Sequence, residues 1–427
     1  LLAQPGERAQ ALKPGLFLTA YLVSAGLCCV LAATGQARFT DLHVYRLGGD
    51  AVLHGLNLYQ VRHAGLPFTY APFAAVCFVV LTVLPWAAAA ALLTIASAAA
   101  LPFLLYAALR LPAGNLAFDR ATAGRLALAC ASAAIWLEPA RTTLGYGQID
   151  LLLAAAVLAD LGLAGYRSQG LLTGLCAGLK LTPAIFIVYL LLTRRFRAAA
   201  TATAAFAATV LLGFLIQPAS SELFWNVTFV KPARISPVQN PENQSLLGVI
   251  SRNLHTTHVV AIWLLCAVAV GCAGLAIAVR AQRRGHEALG FSICAVTGLL
   301  ISPISWTHHW VIAIPALLIA AVWLYRHRAG WRRSRLIGAW AGLGAVAVAG
   351  WLGLARQVHG AYWLHLNLFH LAESELYVVA GLSAVAVAVM TALVYRDLAE
   401  RAGGKCQHQT PALIRPTRSS PDRPRIR

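Results

Sequence analysis

Asp41 stands directly after the first apolar run, within Phe39-Thr40-Asp41-Leu42-His43-Val44-Tyr45. A carboxylate at that boundary is where a membrane-embedded base would meet a lipid-borne substrate. Behind it His43, Arg46, Asp50, His54 and Asn57 recur at helical spacing, while Tyr45, Gly49, Val52 and Leu56 form the opposite stripe. The pattern predicts an amphipathic helix lying in the interface. The plainer reading makes Asp41 only the N-cap of that helix, a position Asp favours.

Lys180 lies near the middle of the apolar stretch 170–192 and is followed by Thr182 and Pro183. A charge at that depth costs about 2.5 to 3.5 kcal/mol on insertion scales, so it faces a polar interior. Pro183 removes an amide and disturbs the preceding turn, which turns carbonyls toward a cavity. The ammonium can clamp a phosphate as a point charge; the alternative is an internal ion pair with Asp150 or Asp160. Glu138, Arg141, Tyr146, Gln148 and Asp150 crowd between two apolar runs and read as the wall of a buried site. Arg141 and Gln148 are candidates there for holding a donor phosphate or sugar, although a local Glu138–Arg141 pair that stabilises a re-entrant turn is the plainer reading.

Ser302-Pro303-Ile304-Ser305-Trp306-Thr307-His308-His309-Trp310 closes another span, where Trp is at home in the interface. Adjacent helical residues point about 100° apart, so His308 and His309 are not expected to chelate one metal together. Either ring can hydrogen-bond a phosphate or a sugar hydroxyl; packing of both in the interface is the alternative. Asn243-Gln244-Ser245 and Ser251-Arg252 sit in a long connector, and His359, Tyr362, Trp363, His365, Phe369 and His370 in a later one. His43, Tyr45, Tyr70, Asn243, Gln244 and Trp306 form the set expected to bind an acceptor or line the cavity. HExxH, a Walker loop and GxGxxG before a helix are all missing, so metalloprotease, ATPase and Rossmann readings have no support.

The elements that must position these residues are apolar helices. Of 427 residues, 59% are hydrophobic and 11% charged, which excludes an ordinary soluble protein. Runs near 20 residues recur, each long enough to cross a hydrocarbon core of about 30 Å. About twelve spans are expected, near 14–35, 68–85, 87–109, 121–137, 148–165, 170–192, 198–216, 258–279, 287–301, 307–325, 336–354 and 376–395. The segments 121–137 and 148–165 are short and flank the polar stretch 138–148, which also allows half-helices dipping in from outside. Eight of nine cysteines fall in apolar runs and Cys406 in the tail, with no disulfide or zinc pattern.

The net charge of +19 reads as orientation in the bilayer rather than as a nucleic-acid surface. The basic clusters at 194–197, 280–284, 326–335 and beyond Arg396 fall on one side of a twelve-span chain together with Lys13, and the positive-inside rule makes that side cytoplasmic. Segment 1–13 is then a cytoplasmic N-terminus, 14–396 the membrane domain and 397–427 a basic, disordered cytoplasmic tail. The connectors 36–67, 217–257, 302–306 and 355–374 face outward, and the unusual residues are in them.

An ordered set of blocks carries a resemblance. Asp41-Leu42-His43-Val44-Tyr45, Phe68-Thr69-Tyr70-Ala71-Pro72-Phe73-Ala74-Ala75, Gly145-Tyr146-Gly147-Gln148, Gly178-Leu179-Lys180-Leu181-Thr182-Pro183, Asn243-Gln244-Ser245 and Ser302 to Trp310 together resemble glycosyltransferase family 87. These are actinobacterial polyprenyl-phosphate-mannose-dependent α-1,2-mannosyltransferases. The resemblance runs from about residue 36 to 312. It implies an all-α, C-type glycosyltransferase fold whose first outer loop carries a catalytic Asp, a lipid-phosphate sugar donor, and a glycolipid acceptor at the outer leaflet of the plasma membrane. Asp41 takes the base position by that match. Asp150 departs from the Asn expected after the Gly-Gln pair.

The chemistry agrees with this reading. Polyprenyl phosphate is a good leaving group, so one base suffices, and attack opposite a β-linked phosphate gives an α product in one inverting step; retention would need a second carboxylate as nucleophile. Neither cofactor nor metal is expected, because Asp41 has no nearby acidic partner in its own loop. A monomer in contact with membrane lipid, binding no nucleic acid, is expected. The rivals are transfer of another polyprenyl-linked sugar such as arabinofuranose, and a transporter or flippase of lipid-linked sugars. An inverted repeat would favour transport, and none is visible.

Overall fold

A computed structural model of the chain describes residues 14–34, 39–111, 118–162, 165, 167–229, 231, 236–327, 333–352, 365–366 and 368–383. The chain divides into two compact units, Leu1–Val385 and Ala386–Arg427, and every described residue belongs to the first. Segment 1–13, the tail 397–427, and His359, Tyr362 and Trp363 lie outside the described residues.

In chain order the helices are α1 (Pro14–Thr34), α2 (Thr40–Leu53), α3 (Pro72–Val83), α4 (Trp86–Arg110), α5 (Arg120–Ala134), α6 (Glu138–Tyr146), α7 (Asp150–Gly162), α8 (Leu171–Leu179) and α9 (Ile185–Leu192). They continue with α10 (Phe196–Ile216), α11 (Pro218–Leu223), α12 (Leu246–Asn253), α13 (Val260–Arg283), α14 (Glu287–Ile301), α15 (Ile314–His327), α16 (Arg333–Leu352) and α17 (Leu368–Glu373). A two-stranded antiparallel hairpin, β1 (Arg62–His63) with β2 (Leu66–Pro67), interrupts the connector after α2. Short 3₁₀ turns at Thr182–Ala184 and Thr307–Ala313 precede α9 and α15.

Local chemistry sets several starts. Asp119 accepts the Thr122 amide at 2.9 Å to cap α5, and Ser245 accepts the Gly248 amide at 3.2 Å to cap α12. Pro72 opens α3 where an amide would have no partner.

Among the described residues four stretches are long and apolar enough to cross a membrane: Trp86–Arg110, Phe196–Ile216, Val260–Arg283 and Thr307–Tyr325. The pair α6 and α7, bent by 115° at its break, makes a fifth. Leu215 and Leu265, on two of these spans, are exposed, as side chains facing lipid must be. The chain is therefore a multi-pass membrane protein. Described helices fall in all of the expected spans, the last only over 376–383, yet α3, α5 and α14 have only 12 to 15 residues, so among the described residues length and hydropathy mark four crossings, or five with the bent pair. The re-entrant break also moves. It separates α6 from α7, whereas the expected pair of half-helices was 121–137 and 148–165.

Helix α2 forms where the amphipathic pattern placed it and packs on α3. Gly48 and Gly49 permit this, since a Cβ would stand 2.3 Å from the Phe68 ring at the first and 2.2 Å from Thr82 Oγ1 at the second. Arg46 on the same helix donates to the free carbonyls of Leu81 and Leu84 at the end of α3. The helix that carries Asp41 is thus fixed to the bundle along its length. Asn57 lies beyond its end.

Candidate active site

The bend between α6 and α7 builds the centre of the site. Gly147 ends α6 at φ +67°, and a Cβ there would lie 3.1 Å from Leu42 and Phe39. The turn thereby touches the start of α2, and the Phe39 amide donates to Gly145 O at 2.8 Å. Gln148 follows immediately and is 2% exposed. Tyr45 Oη donates to its Oε1 at 2.6 Å, while its Nε2 donates to Tyr70 Oη at 3.1 Å and lies 3.4 Å from His308 Nε2. One amide therefore joins four segments far apart in sequence.

Asp41 reaches this centre from the first turn of α2. Phe39, in the left-handed region and without a side-chain cap bond, occupies the N-cap position, so Asp41 does not cap the helix. Burial raises the Asp41 carboxyl to about 7; the Lys180 charge and a hydrogen bond with Gln148 pull it down by less, and Asp150 adds to the rise. A carboxyl poised near neutrality holds a proton reversibly, which suits a general base.

Lys180 sits where α8 breaks into extended backbone, at φ −148° and ψ 127°, before the 3₁₀ turn that contains Pro183. Its Nζ donates to Asp150 Oδ1 at 2.6 Å and lies 5.8 Å from the centre of the Tyr70 ring. The two readings of Lys180 are compatible, because the ion pair with Asp150 forms at the site itself. Asp160 is committed elsewhere, accepting the Gly170 amide and the Thr173 hydroxyl.

His308 and His309 stand on the 3₁₀ turn with their rings 4.7 Å apart and nearly perpendicular. His308 Nε2 is 3.9 Å from Asp150 Oδ2. Asp150, His308 and His309 each present a ligand atom within 4.8 Å of the others. The ligand atoms converge because the third donor comes from α7 and the turn that carries the histidines is not α-helical. The set suits a divalent cation in type, but the Lys180 ammonium already rests on its carboxylate.

Glu138 organises the histidine turn from below. It is 3% exposed and accepts from Thr142 and Thr307, each at 2.8 Å, and from Tyr377 at 2.8 Å. Thr307 immediately precedes His308, so the carboxylate fixes the start of the turn. Arg141 lies one turn along α6, within electrostatic reach of Cys28 on α1.

The rest of the expected cavity set is placed differently. Asn243 and Gln244 are fully buried: Asn243 Nδ2 donates to Val238 O at 2.9 Å, its Oδ1 accepts the Ser305 amide at 2.9 Å, and Gln244 Nε2 donates to Pro241 O and Ser374 O. They bind loops to each other instead of lining the cavity. Arg252, 1% exposed, extends this knit by donating to Asn240 O, Asn243 O and Ser374 O. Trp306 packs against the apolar cluster of Val238, Leu247, Val259 and Ile304. His43 stacks between His63 and Trp86, at centroid distances of 4.5 and 4.1 Å. Tyr45 and Tyr70 do join the site, through Gln148.

Against this geometry, residues 68–303 match the family described as glycosyltransferase family 87. The chain belongs to glycosyltransferase family 87. Among its relatives is the polyprenol-phosphate-mannose-dependent alpha-(1-2)-phosphatidylinositol pentamannoside mannosyltransferase of Mycobacterium tuberculosis, 34% identical over 387 residues, covering 88% of this chain and 86% of the relative. Another, from the same organism, is a polyprenol-phosphate-mannose-dependent alpha-(1-2)-phosphatidylinositol mannoside mannosyltransferase, 33% identical over 347 residues, covering 76% of this chain and 80% of the relative. ArnT from Cupriavidus metallidurans, in a crystal structure bound to undecaprenyl phosphate, aligns at a TM-score of 0.39 and 15% identity over 93% of this chain and 81% of its own.

In this family 87 member the Gly147 turn yields a direct prediction. Alanine there needs a left-handed backbone, costing about 1 to 2 kcal/mol, and crowds Leu42. Gly147→Ala is expected to lower kcat/KM at least tenfold and to reduce the melting temperature. Unchanged kinetics would show that the Asp41–Gln148 approach is not set by this turn.

Proposed function

We propose that the chain transfers mannose from polyprenyl-phosphate mannose to a lipid-linked mannoside of the phosphatidylinositol mannoside or lipomannan type, forming an α-1,2 linkage with inversion. It does so as a monomer with a C-type glycosyltransferase architecture, at the outer face of the plasma membrane. The names of its relatives support the donor. The observation that carries the mechanism is a near-neutral carboxyl, Asp41, within electrostatic reach of the Lys180 ammonium, which rests on Asp150.

In the reaction Asp41 removes the proton of the acceptor hydroxyl. That oxygen attacks the anomeric carbon from the face opposite the phosphate, and the bond from that carbon to the phosphate oxygen breaks. Polyprenyl phosphate departs with its electron pair. Lys180 and His308 face the charge growing on it, where stabilisation is strongest because little water competes. Gln148 holds Asp41 in register with the two tyrosines.

Transfer of radiolabelled mannose from polyprenyl-phosphate mannose to extracted phosphatidylinositol mannosides tests the proposal. Labelled product is expected from the purified chain, and its absence with folded protein overturns the reading. Lys180 makes a metal unnecessary, so EDTA is expected to leave the rate within twofold. A loss restored by a divalent ion would assign the cation to Asp150, His308 and His309 instead.

A further inference from the structure

Three loops meet at the far ends of the helices that carry the site. Segments 163–170, 193–197 and 280–287 together contain seven arginines and one carboxylate, Glu287. The fold fastens them to each other. Arg197 donates to Arg167 O at 3.1 Å, Arg283 donates to Leu192 O at 3.3 Å, and Arg195 pairs with Glu287, which also accepts from Tyr189. Gly170 lets the first loop close on α10, since a Cβ there would stand 2.0 Å from Ala198 O. Arg167, Arg194, Arg197, Arg280, Arg283 and Arg284 are all exposed.

The patch is remote from the reacting groups. Helix α8 leads from this end to Lys180 and α9 returns to it, while α14 runs from Glu287 toward the histidine turn. The 15 residues of α14 span about 22 Å at 1.5 Å each.

We propose that this arginine patch binds the headgroup of an anionic phospholipid at the cytoplasmic surface. Orientation in the bilayer asks only that basic residues lie on this side. It does not ask three separate loops to draw their arginines together, where like charges repel. Carbonyls carry no net charge, so the bonds to Arg167 O and Leu192 O hold the loops together without neutralising them. An anion from outside supplies what Glu287 alone does not. Guanidinium groups match phosphate oxygens in pairs, and basic pockets between membrane helices on the cytoplasmic side take anionic headgroups. The neighbours decide what kind of anion this is. Leu192, Phe196 and Leu289 stand exposed among the arginines, with Phe196 62% exposed. Hydrocarbon therefore reaches the level of the patch, and a phospholipid brings acyl chains to these residues with the phosphate above them. Free phosphate or an acidic protein gains nothing from that apolar rim.

The test uses the purified full chain in phosphatidylcholine nanodiscs doped with a phosphatidylglycerol that carries a diazirine near the head of its acyl chain. On photolysis, labelling is expected on peptides containing Leu192–Phe196 or Leu289, at least fivefold above that from the same diazirine on phosphatidylcholine. Equal labelling by the two lipids overturns the proposal, and so does labelling confined to other basic segments. This comparison needs neither donor nor acceptor nor any variant. The second arm removes charge while the fastening side chains Arg195, Arg197 and Arg283 stay in place. Arg194→Gln/Arg280→Gln/Arg284→Gln is expected to lower phosphatidylglycerol labelling at these peptides at least fivefold, with phosphatidylcholine labelling and the melting temperature in phosphatidylcholine unchanged. Undiminished phosphatidylglycerol labelling in the triple variant would show that the arginines do not select the lipid. Loss of labelling on adding millimolar inorganic phosphate would assign the patch to the free anion instead.

Discussion

Asp41→Asn is expected to remove at least a thousandfold of the transfer rate while leaving donor binding nearly intact. General-base assistance alone contributes about 10²- to 10⁴-fold, and the amide has no basic site to replace it. The same carboxyl predicts a pH profile. Base catalysis needs the ionised form, so kcat/KM should rise with pH along an acidic limb centred near 7, the value to which burial raises Asp41. Stability moves the other way. A folded-state value above the ordinary 3.8 means that the folded chain binds this proton more tightly than the unfolded chain, so stability present at low pH declines between about pH 4 and 7. Asp41→Asn carries no such group and should melt at or above the wild-type temperature at pH 8. A variant that is inactive but no less stable identifies a functional carboxylate; normal turnover would remove Asp41 from the base role.

The second large effect separates the two roles of Lys180. Lys180→Ala leaves Asp150 buried without its cation, and breaking a buried pair from one side costs about 3 to 5 kcal/mol. That variant alone cannot distinguish loss of a phosphate clamp from loss of fold. In Lys180→Ala/Asp150→Asn the uncompensated charge is gone, so most of the stability should return while donor KM stays raised at least tenfold. If the double variant recovers both stability and donor KM, Lys180 serves the ion pair alone.

The helix bearing Asp41 was legible from its stripe, and so was the break at Lys180, because Pro183 and a mid-span charge are local signals. Asp41's release from the N-cap was not, since it depends on Phe39 reaching Gly145 across a hundred residues. Asn243 and Gln244 misled for a related reason. Polar residues in a connector look available to a ligand, and only the folded chain shows that both ends of the Asn243 amide and the Gln244 amide nitrogen are used by Pro303, Ser305 and Ser374. Gln148 was visible as one polar residue among five. Its position as the junction of Tyr45, Tyr70 and His308 is set by the 115° bend, which no periodicity encodes.

Arg252 gives the loops around this site an unusual kind of fastening. Its guanidinium is committed to three main-chain carbonyls, and carbonyls neither titrate nor exchange partners with dissolved ions. A fastening of this kind is indifferent to acidity and only weakly screened by salt, unlike one made from exposed acid–base pairs. The frame around the histidine turn should therefore keep its shape across the range in which Asp41 changes charge, and a pH-dependent rate will report the base and not a loosening of its surroundings.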